Sequence, residues 1–313
     1  MTGGAGFVGH YLAPLLAAAW PQARLVNIVR SGEVRNLPGW HNIATPLLDS
    51  AAIKELVAVE RPDLIVHLAA QASVGAALNG GEETWRVNFD GALEMASACA
   101  SHGSNTTFFY VSSAEVYGRS FLDGPASEDS PLAPANPYAR SKASAEAMLP
   151  DVLRADQRLI IVRPFNHTGP GQDERFVLPS FAAQIAAIGR GDKPPRLAVG
   201  NLDAEREFLD VRDVCRAYLS LMRAAPNLNA RNIFNVASGK PYEIRDLLDR
   251  LRRISGLEFE IRVDPERMRP AEIHRVSGVS ERIKSATGWT SNTDIDALLQ
   301  ELLESKMSGF GLN

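Results

Sequence analysis

Four short stretches of this 313-residue chain are apolar almost without interruption: Arg24-Leu25-Val26-Asn27-Ile28-Val29, Leu64-Ile65-Val66-His67-Leu68, Thr107-Phe108-Phe109-Tyr110-Val111 and Arg158-Leu159-Ile160-Ile161-Val162. Each has strand length and is rich in β-branched or aromatic residues. A strand with one wet face alternates apolar with polar residues. An unbroken apolar run needs both faces covered, as in parallel strands sandwiched between helices. Helical patterns separate the runs, at Ser50–Glu60 and Asn88–His102 among others. This alternation requires right-handed crossovers, so the expected fold class is α/β with a doubly wound parallel sheet.

The second half has a different texture. Gly169-Pro170-Gly171 and Lys193-Pro194-Pro195 mark loops, Ile244–Ser255 and Asp294–Ser305 read as amphipathic helices, and Phe259–Val263 alternates like an exposed strand. A smaller, mixed α/β substrate-binding part is expected there. The division read from the sequence assigns 1–165 to a nucleotide-binding core, with 208–238 returning to it. Residues 166–207 and 239–313 form the covering part.

Composition narrows the function classes. A net charge of −4 leaves no basic field for nucleic acid or an anionic membrane. Two cysteines, Cys99 and Cys215, are too few for a disulfide framework and fit a reducing, cytoplasmic setting. No His/Cys cluster has metal-ligand spacing, so no metal is expected. The apolar stretch from Leu12 to Ala19 has no Lys or Arg before Arg24, which argues against a secretory signal and for a helix.

That helix follows Thr2-Gly3-Gly4-Ala5-Gly6-Phe7-Val8-Gly9, with Gly3, Gly6 and Gly9 three apart. Such glycines let the backbone turn tightly against a pyrophosphate seated at a helix N-terminus, as in a Rossmann sheet. The loop ordinarily follows a strand, yet only Met1 precedes Thr2. The central strand is therefore expected upstream of Met1. About twenty residues on, Arg30-Ser31 stands where a carboxylate would select NAD and where an arginine suits a 2′-phosphate. NADP(H) is the expected cofactor, with NAD(H) the alternative.

Tyr138 and Lys142 in Tyr138-Ala139-Arg140-Ser141-Lys142 lie four apart, hence on one helical face. A nearby ammonium is expected to lower the phenol's pKa. With Ser112-Ser113 ending a strand, a hydroxyl–phenol–ammonium relay becomes available.

With these residues in place, the chain resembles the extended short-chain dehydrogenase/reductases that act on nucleotide sugars, from Thr2 to about Trp289. The resemblance implies Ser113, Tyr138 and Lys142 as the catalytic triad. It places Gly3, Gly6, Phe7, Val8, Arg30, Leu47, the Leu68, Ala69 and Ala70 of His67-Leu68-Ala69-Ala70, Pro164, Tyr138 and Lys142 against the cofactor, and gives Asn88 a sheet-stabilising role. Arg163–Gln172, Val199–Leu202, Arg206–Asp213 and Asp264–Glu272 are similar to segments of the GDP-4-keto-6-deoxy-D-mannose reductases, which make GDP-D-rhamnose. The likeness implies that Asn166, Arg206 and Arg269 bind the diphosphate and that Glu272 binds the ribose, chemistry suited to guanidinium and carboxylate groups. One departure is Pro46, where the family often has an Asp reaching the adenine.

The expected reaction is hydride transfer to C4 of a GDP-linked 4-keto-6-deoxy sugar. Tyr138 would protonate the alkoxide, Ser113 would hydrogen-bond the carbonyl and Lys142 would support Tyr138. Glu115, in Ser113-Ala114-Glu115, stands where a related 4,6-dehydratase carries its base and would also touch substrate. A dehydratase, a 4-epimerase and a non-catalytic nucleotide sensor are the alternatives. The resemblance also implies a homodimer built on Asn88–His102 and Tyr138–Leu153.

Overall fold

The computed structural model describes residues 1–30, 37–102, 105–268 and 273–308, Ala76 without its side chain. The first half runs α1 (Phe7–Ala19), β1 (Val26–Val29), β2 (His41–Ala44), α2 (Ser50–Glu60), β3 (Leu64–His67), α3 (Val74–Asn79), α4 (Gly81–Trp85), α5 (Gly91–His102), β4 (Thr107–Val111), α6 (Pro137–Val152) and β5 (Arg158–Pro164). The second half adds β6 (His167–Thr168), α7 (Val177–Gly189), β7 (Arg196–Val199), β8 (Glu205–Glu207), β9 (Leu209–Asp210), α8 (Val211–Ala224) and β10 (Arg231–Val236). It closes with β11 (Pro241–Glu243), α9 (Ile244–Ser255), β12 (Glu260–Val263), β13 (Arg275–Val276), α10 (Glu281–Thr287) and α11 (Ile295–Met307).

The main sheet is parallel, with β10, β5, β4 and β3 paired in that order and β1 paired with β2. Thr2 joins the two halves by bridging to both Ile28 and His67. Ile28 N donates to the Met1 carbonyl at 2.9 Å, Thr2 N to Val66 O at 2.9 Å and Leu68 N to Thr2 O at 3.2 Å. The central position expected for a strand ahead of the glycine loop is thus held by Met1 and Thr2. Strand order reverses there, which makes it the switch point where ligands bind such sheets.

Period-two side-chain alternation explains the unbroken apolar runs. Val66, Phe109, Ile160 and Val162 pack with residues of α1 and α8, while Ile65, Phe108, Tyr110, Leu159 and Ile161 pack with residues of α2, α5 and α6. A separate core unites α7, α9, α11 and β7 through Phe181, Leu247, Leu298 and Leu197. Val276, Ile283 and Trp289 pack instead with the α1–α8 layer.

Two elements differ from the sequence reading. The helix expected from Asn88 begins at Gly91, after a π-helical turn at Arg86–Asp90 that carries the buried Asn88. β2 has no apolar pattern because it is an edge strand with mostly exposed residues. Among the described residues no helix is long and apolar enough to cross a membrane.

Candidate active site

The cleft begins at the glycine turn. Gly3 has a φ of 71°, and a Cβ on it would lie 2.7 Å from the Ala69 amide nitrogen. At Gly9 a Cβ would fall 2.4 Å from the Gly4 carbonyl oxygen. Only glycine lets these segments approach so closely. The turn delivers Gly6 as the N-cap of α1, where no side chain caps the helix and no acidic residue sits in the first turn. An uncapped, acid-free helix start offers its amides and its positive dipole end to an anion. The residues present therefore fit a dinucleotide pyrophosphate. Further along the same wall stand Arg30, Pro46 and Leu47 on one side and Leu68, Ala69 and Ala70 on the other. Ser31 lies outside the described residues.

Ser113, Tyr138 and Lys142 line the cleft just past the end of β4 and in the first two turns of α6. Asn136 caps α6 by accepting from Ala139 N at 2.8 Å, and Pro137 opens the helix with its φ already set. The cap places Tyr138 in the first turn and Lys142 one turn later. The Tyr138 phenol and the Ser113 side chain face the same cleft, and Ser113 Oγ accepts from Glu115 N at 3.2 Å. Burial pushes this phenol up to about 12, with the Ser113 hydroxyl opposing and the Glu115 charge reinforcing. Lys142 Nζ donates to the Val111 carbonyl at 2.7 Å and lies 4.8 Å from the Tyr110 ring centroid. Burial pushes Lys142 down to about 7 against the Glu146 charge.

The expectation that Lys142 depresses the phenol's pKa is therefore corrected. Desolvation governs the phenol, with Ser113 and Glu115 as the lesser contributors, and the same burial disfavours the charge of Lys142. A phenol that stays protonated through the neutral range suits proton donation. Asn88 secures this helix: it donates to Ser141 Oγ at 3.0 Å and to the Gln71 carbonyl at 3.3 Å, and it accepts from Gln71 N at 2.8 Å.

Beyond the triad the cleft widens to a total of about 1610 Å³, and its wall includes Glu115, Pro164, Asn166 and Arg206. Glu115 accepts from Asn136 Nδ2 at 3.1 Å. Arg206 donates to the carbonyls of Glu205, His274 and Ile273, at 2.8, 2.9 and 3.1 Å. Burial lowers its pKa and the charge of Glu115 opposes that shift. Arg269 and Glu272 lie outside the described residues. His167 pairs its Nδ1 with the Phe165 carbonyl at 3.0 Å.

Sequence reading missed Arg175, Ser180 and Arg267 on the same wall. Arg267 Nη1 donates to Ser180 Oγ at 3.0 Å across 87 positions of sequence, a pairing with no local signature.

A family model described as GDP-mannose 4,6 dehydratase matches residues 1–302. The chain belongs to this family. Across this GDP-mannose 4,6-dehydratase family member, the GDP-6-deoxy-D-mannose reductase of Pseudomonas aeruginosa is 38% identical over 305 residues, 97% of this chain and 95% of that protein. The dTDP-D-glucose 4,6-dehydratase of Mus musculus is 31% identical over 92% of this chain and 82% of its own length. Among solved structures, RMD from Pseudomonas aeruginosa complexed with NADPH superposes with a TM-score of 0.82 at 36% identity, covering 98% of this chain and 97% of that one. The UDP-glucose 4-epimerase of Thermotoga maritima has a TM-score of 0.86 at 24% identity over 98% of both chains, a likeness of fold.

Proposed function

We propose that this protein reduces the C4 ketone of GDP-4-keto-6-deoxy-D-mannose with NADPH, giving GDP-D-rhamnose. The observation that carries the reading is the buried Tyr138 phenol, kept protonated by desolvation, together with Ser113 and Lys142 on the wall of a cleft that starts at an anion-accepting helix end. The identity to a GDP-6-deoxy-D-mannose reductase supports it.

NADPH supplies the hydride that C4 receives. Gly3 and Gly6 let the backbone approach its pyrophosphate, Phe7 and Val8 open the helix whose amides face that group, and Arg30 answers the 2′-phosphate. Leu47, Leu68, Ala69, Ala70 and Pro164 line its path. Ser113 holds the ketone oxygen, and Tyr138 gives its proton to the alkoxide as charge develops. Lys142 stands one helical turn away as the supporting cation. Asn166, Arg206 and Arg269 bind the diphosphate, and Glu272 accepts from the ribose. Glu115, tied to Asn136 and in the field of Arg206, contacts the sugar.

The division into 1–165 with 208–238, and 166–207 with 239–313, belongs to the same reading. So do a homodimer through α5 and α6 and a cytoplasmic setting.

The test is to mix the protein with NADPH and GDP-4-keto-6-deoxy-D-mannose, follow the nicotinamide absorbance and identify the product by NMR. One NADPH lost per GDP-D-rhamnose formed is the expected result. Conversion of GDP-mannose to the 4-keto sugar without net cofactor use would overturn it and make Glu115 the base of a dehydratase.

A further inference from the structure

Behind the triad, away from the cleft, lies a charged group that the proposed reaction does not use. Glu146 stands one turn after Lys142 on the same buried face of α6. Arg163, near the end of β5, donates from Nε to both Glu146 carboxylate oxygens at 3.1 Å and from Nη2 to Oε2 at 2.5 Å. Its Nη1 donates to the Tyr117 hydroxyl at 2.9 Å, and its guanidinium lies 4.9 Å from the Tyr117 ring centroid. The Tyr117 hydroxyl in turn donates to Asn235 Oδ1 at 2.6 Å, which extends the tie into β10. Lys142, Glu146 and Arg163 are only 2%, 5% and 2% exposed.

We propose that Glu146, clamped by Arg163, is a positioning residue for Lys142: it fixes α6 against the end of β5 and supplies the buried negative charge opposite which Lys142 keeps its proton. The inference rests on the part given to Lys142 in the proposed reaction.

A buried ion pair is a weak source of stability, because well-packed apolar side chains of equal volume often do as well. Its place beside a buried ammonium supplies another reason for it. Lys142 has a carbonyl oxygen and an aromatic ring as its contacts, both of them uncharged. Among the described residues, the titratable groups around it are Tyr138 and Glu146 from α6, Tyr110 from β4, His67 from β3 and, beyond Glu146, Arg163 from β5. Burial keeps the tyrosines protonated and His67 neutral. Glu146 is therefore the one anion of that set, and the Arg163 fork prevents it from swinging onto Lys142 or into the cleft. The ammonium is thus supported at a distance while it donates to the Val111 carbonyl.

The test reads Lys142 directly. The chain has six lysines, so 13C labelling at lysine Cε gives a short spectrum in which Lys142→Arg identifies the Lys142 signal. In the wild-type protein that signal titrates below the other five. In Glu146→Gln its midpoint falls by about one pH unit further, and Glu146→Asp recovers most of the fall. Where Glu146→Gln fails to fold around an unpaired Arg163, the double variant Glu146→Gln/Arg163→Met leaves no unpaired guanidinium and shows a smaller fall in the same direction, because the nearer charge of Glu146 outweighs that of Arg163. With 4-keto sugar as substrate, the alkaline limb of kcat moves to lower pH with the Lys142 midpoint while KM holds. A Lys142 midpoint unmoved in folded Glu146→Gln or in the double variant overturns the proposal. Absence of reductase activity alongside a shifted midpoint would instead count against the functional reading alone.

Discussion

Gly3 and Ala69 meet backbone to backbone: with φ at 71°, Gly3 would place any Cβ 2.7 Å from the Ala69 amide nitrogen. The contact pins the glycine turn to the segment leaving β3, on opposite sides of the sheet's switch point. Ala69 N also donates to Thr2 Oγ1 at 3.2 Å, which ties the same two segments from the other end. Gly3→Ala must therefore push the turn away and strain its own φ. A stability loss on the order of 1–3 kcal/mol is expected. NADPH affinity should fall at least about tenfold, since the amides facing the pyrophosphate move with the turn. Thermal melts and a fluorescence titration of NADPH check both.

Tyr138→Phe removes the proton donor and leaves the packing of α6 in place. Turnover with the 4-keto sugar should drop by about 10²–10⁴-fold, with NADPH binding within about twofold of wild type. Near-normal turnover would rule out Tyr138 as the acid.

Asn88→Ala deletes three hydrogen bonds that join Gln71 to Ser141, and so lets the segment after β3 slide on α6. Leaving those partners unsatisfied should cost about 1–3 kcal/mol. Chemical denaturation reads the loss, and kcat should fall with it because Tyr138 and Lys142 flank Ser141.

Arg206→Gln keeps a donor but removes the charge from the cleft wall. KM for the GDP sugar should rise by roughly 10–100-fold, with kcat changed much less. Steady-state kinetics separate the two. A change confined to kcat would place Arg206 outside diphosphate binding.

His67 gives stability a dependence on pH. Burial, and secondarily the charge of Lys142, lowers its pKa from 6.5 to about 3. The unfolded chain thus takes up a proton near pH 6.5 that the folded chain refuses until about pH 3. Stability is full above the unfolded value and is lost as pH falls below it. Between about pH 7 and about pH 5.5 this group should cost about 1 kcal/mol. Urea melts at the two pH values measure it, and His67→Asn should flatten the difference.

Much of the site was legible because its signals are local. A glycine spacing, a Tyr and Lys one turn apart and a serine at a strand end each depend on a few neighbouring residues. The cleft brings Gly3, Gly6, Ser113, Tyr138, Lys142, Asn166 and Arg206 together. The electrostatics were not legible. Lys142 was expected to lower the Tyr138 pKa, yet burial raises it, and depth is a property of the whole fold. The Arg267–Ser180 and Arg163–Glu146 pairs escaped for a related reason: each joins segments that only the folded chain brings together.

The sequence by itself determined the doubly wound parallel sheet, because unbroken apolar runs must be covered on both faces, and it determined the placement of Tyr138 and Lys142 on one helical face, because 3.6 residues make a turn. Tertiary structure alone decided that Thr2 would close the centre of the sheet, that Asn88 would turn inward on a π turn, and which charges would be stripped of water. Those outcomes depend on long-range contacts and on desolvation, and neither is written into any short stretch of residues.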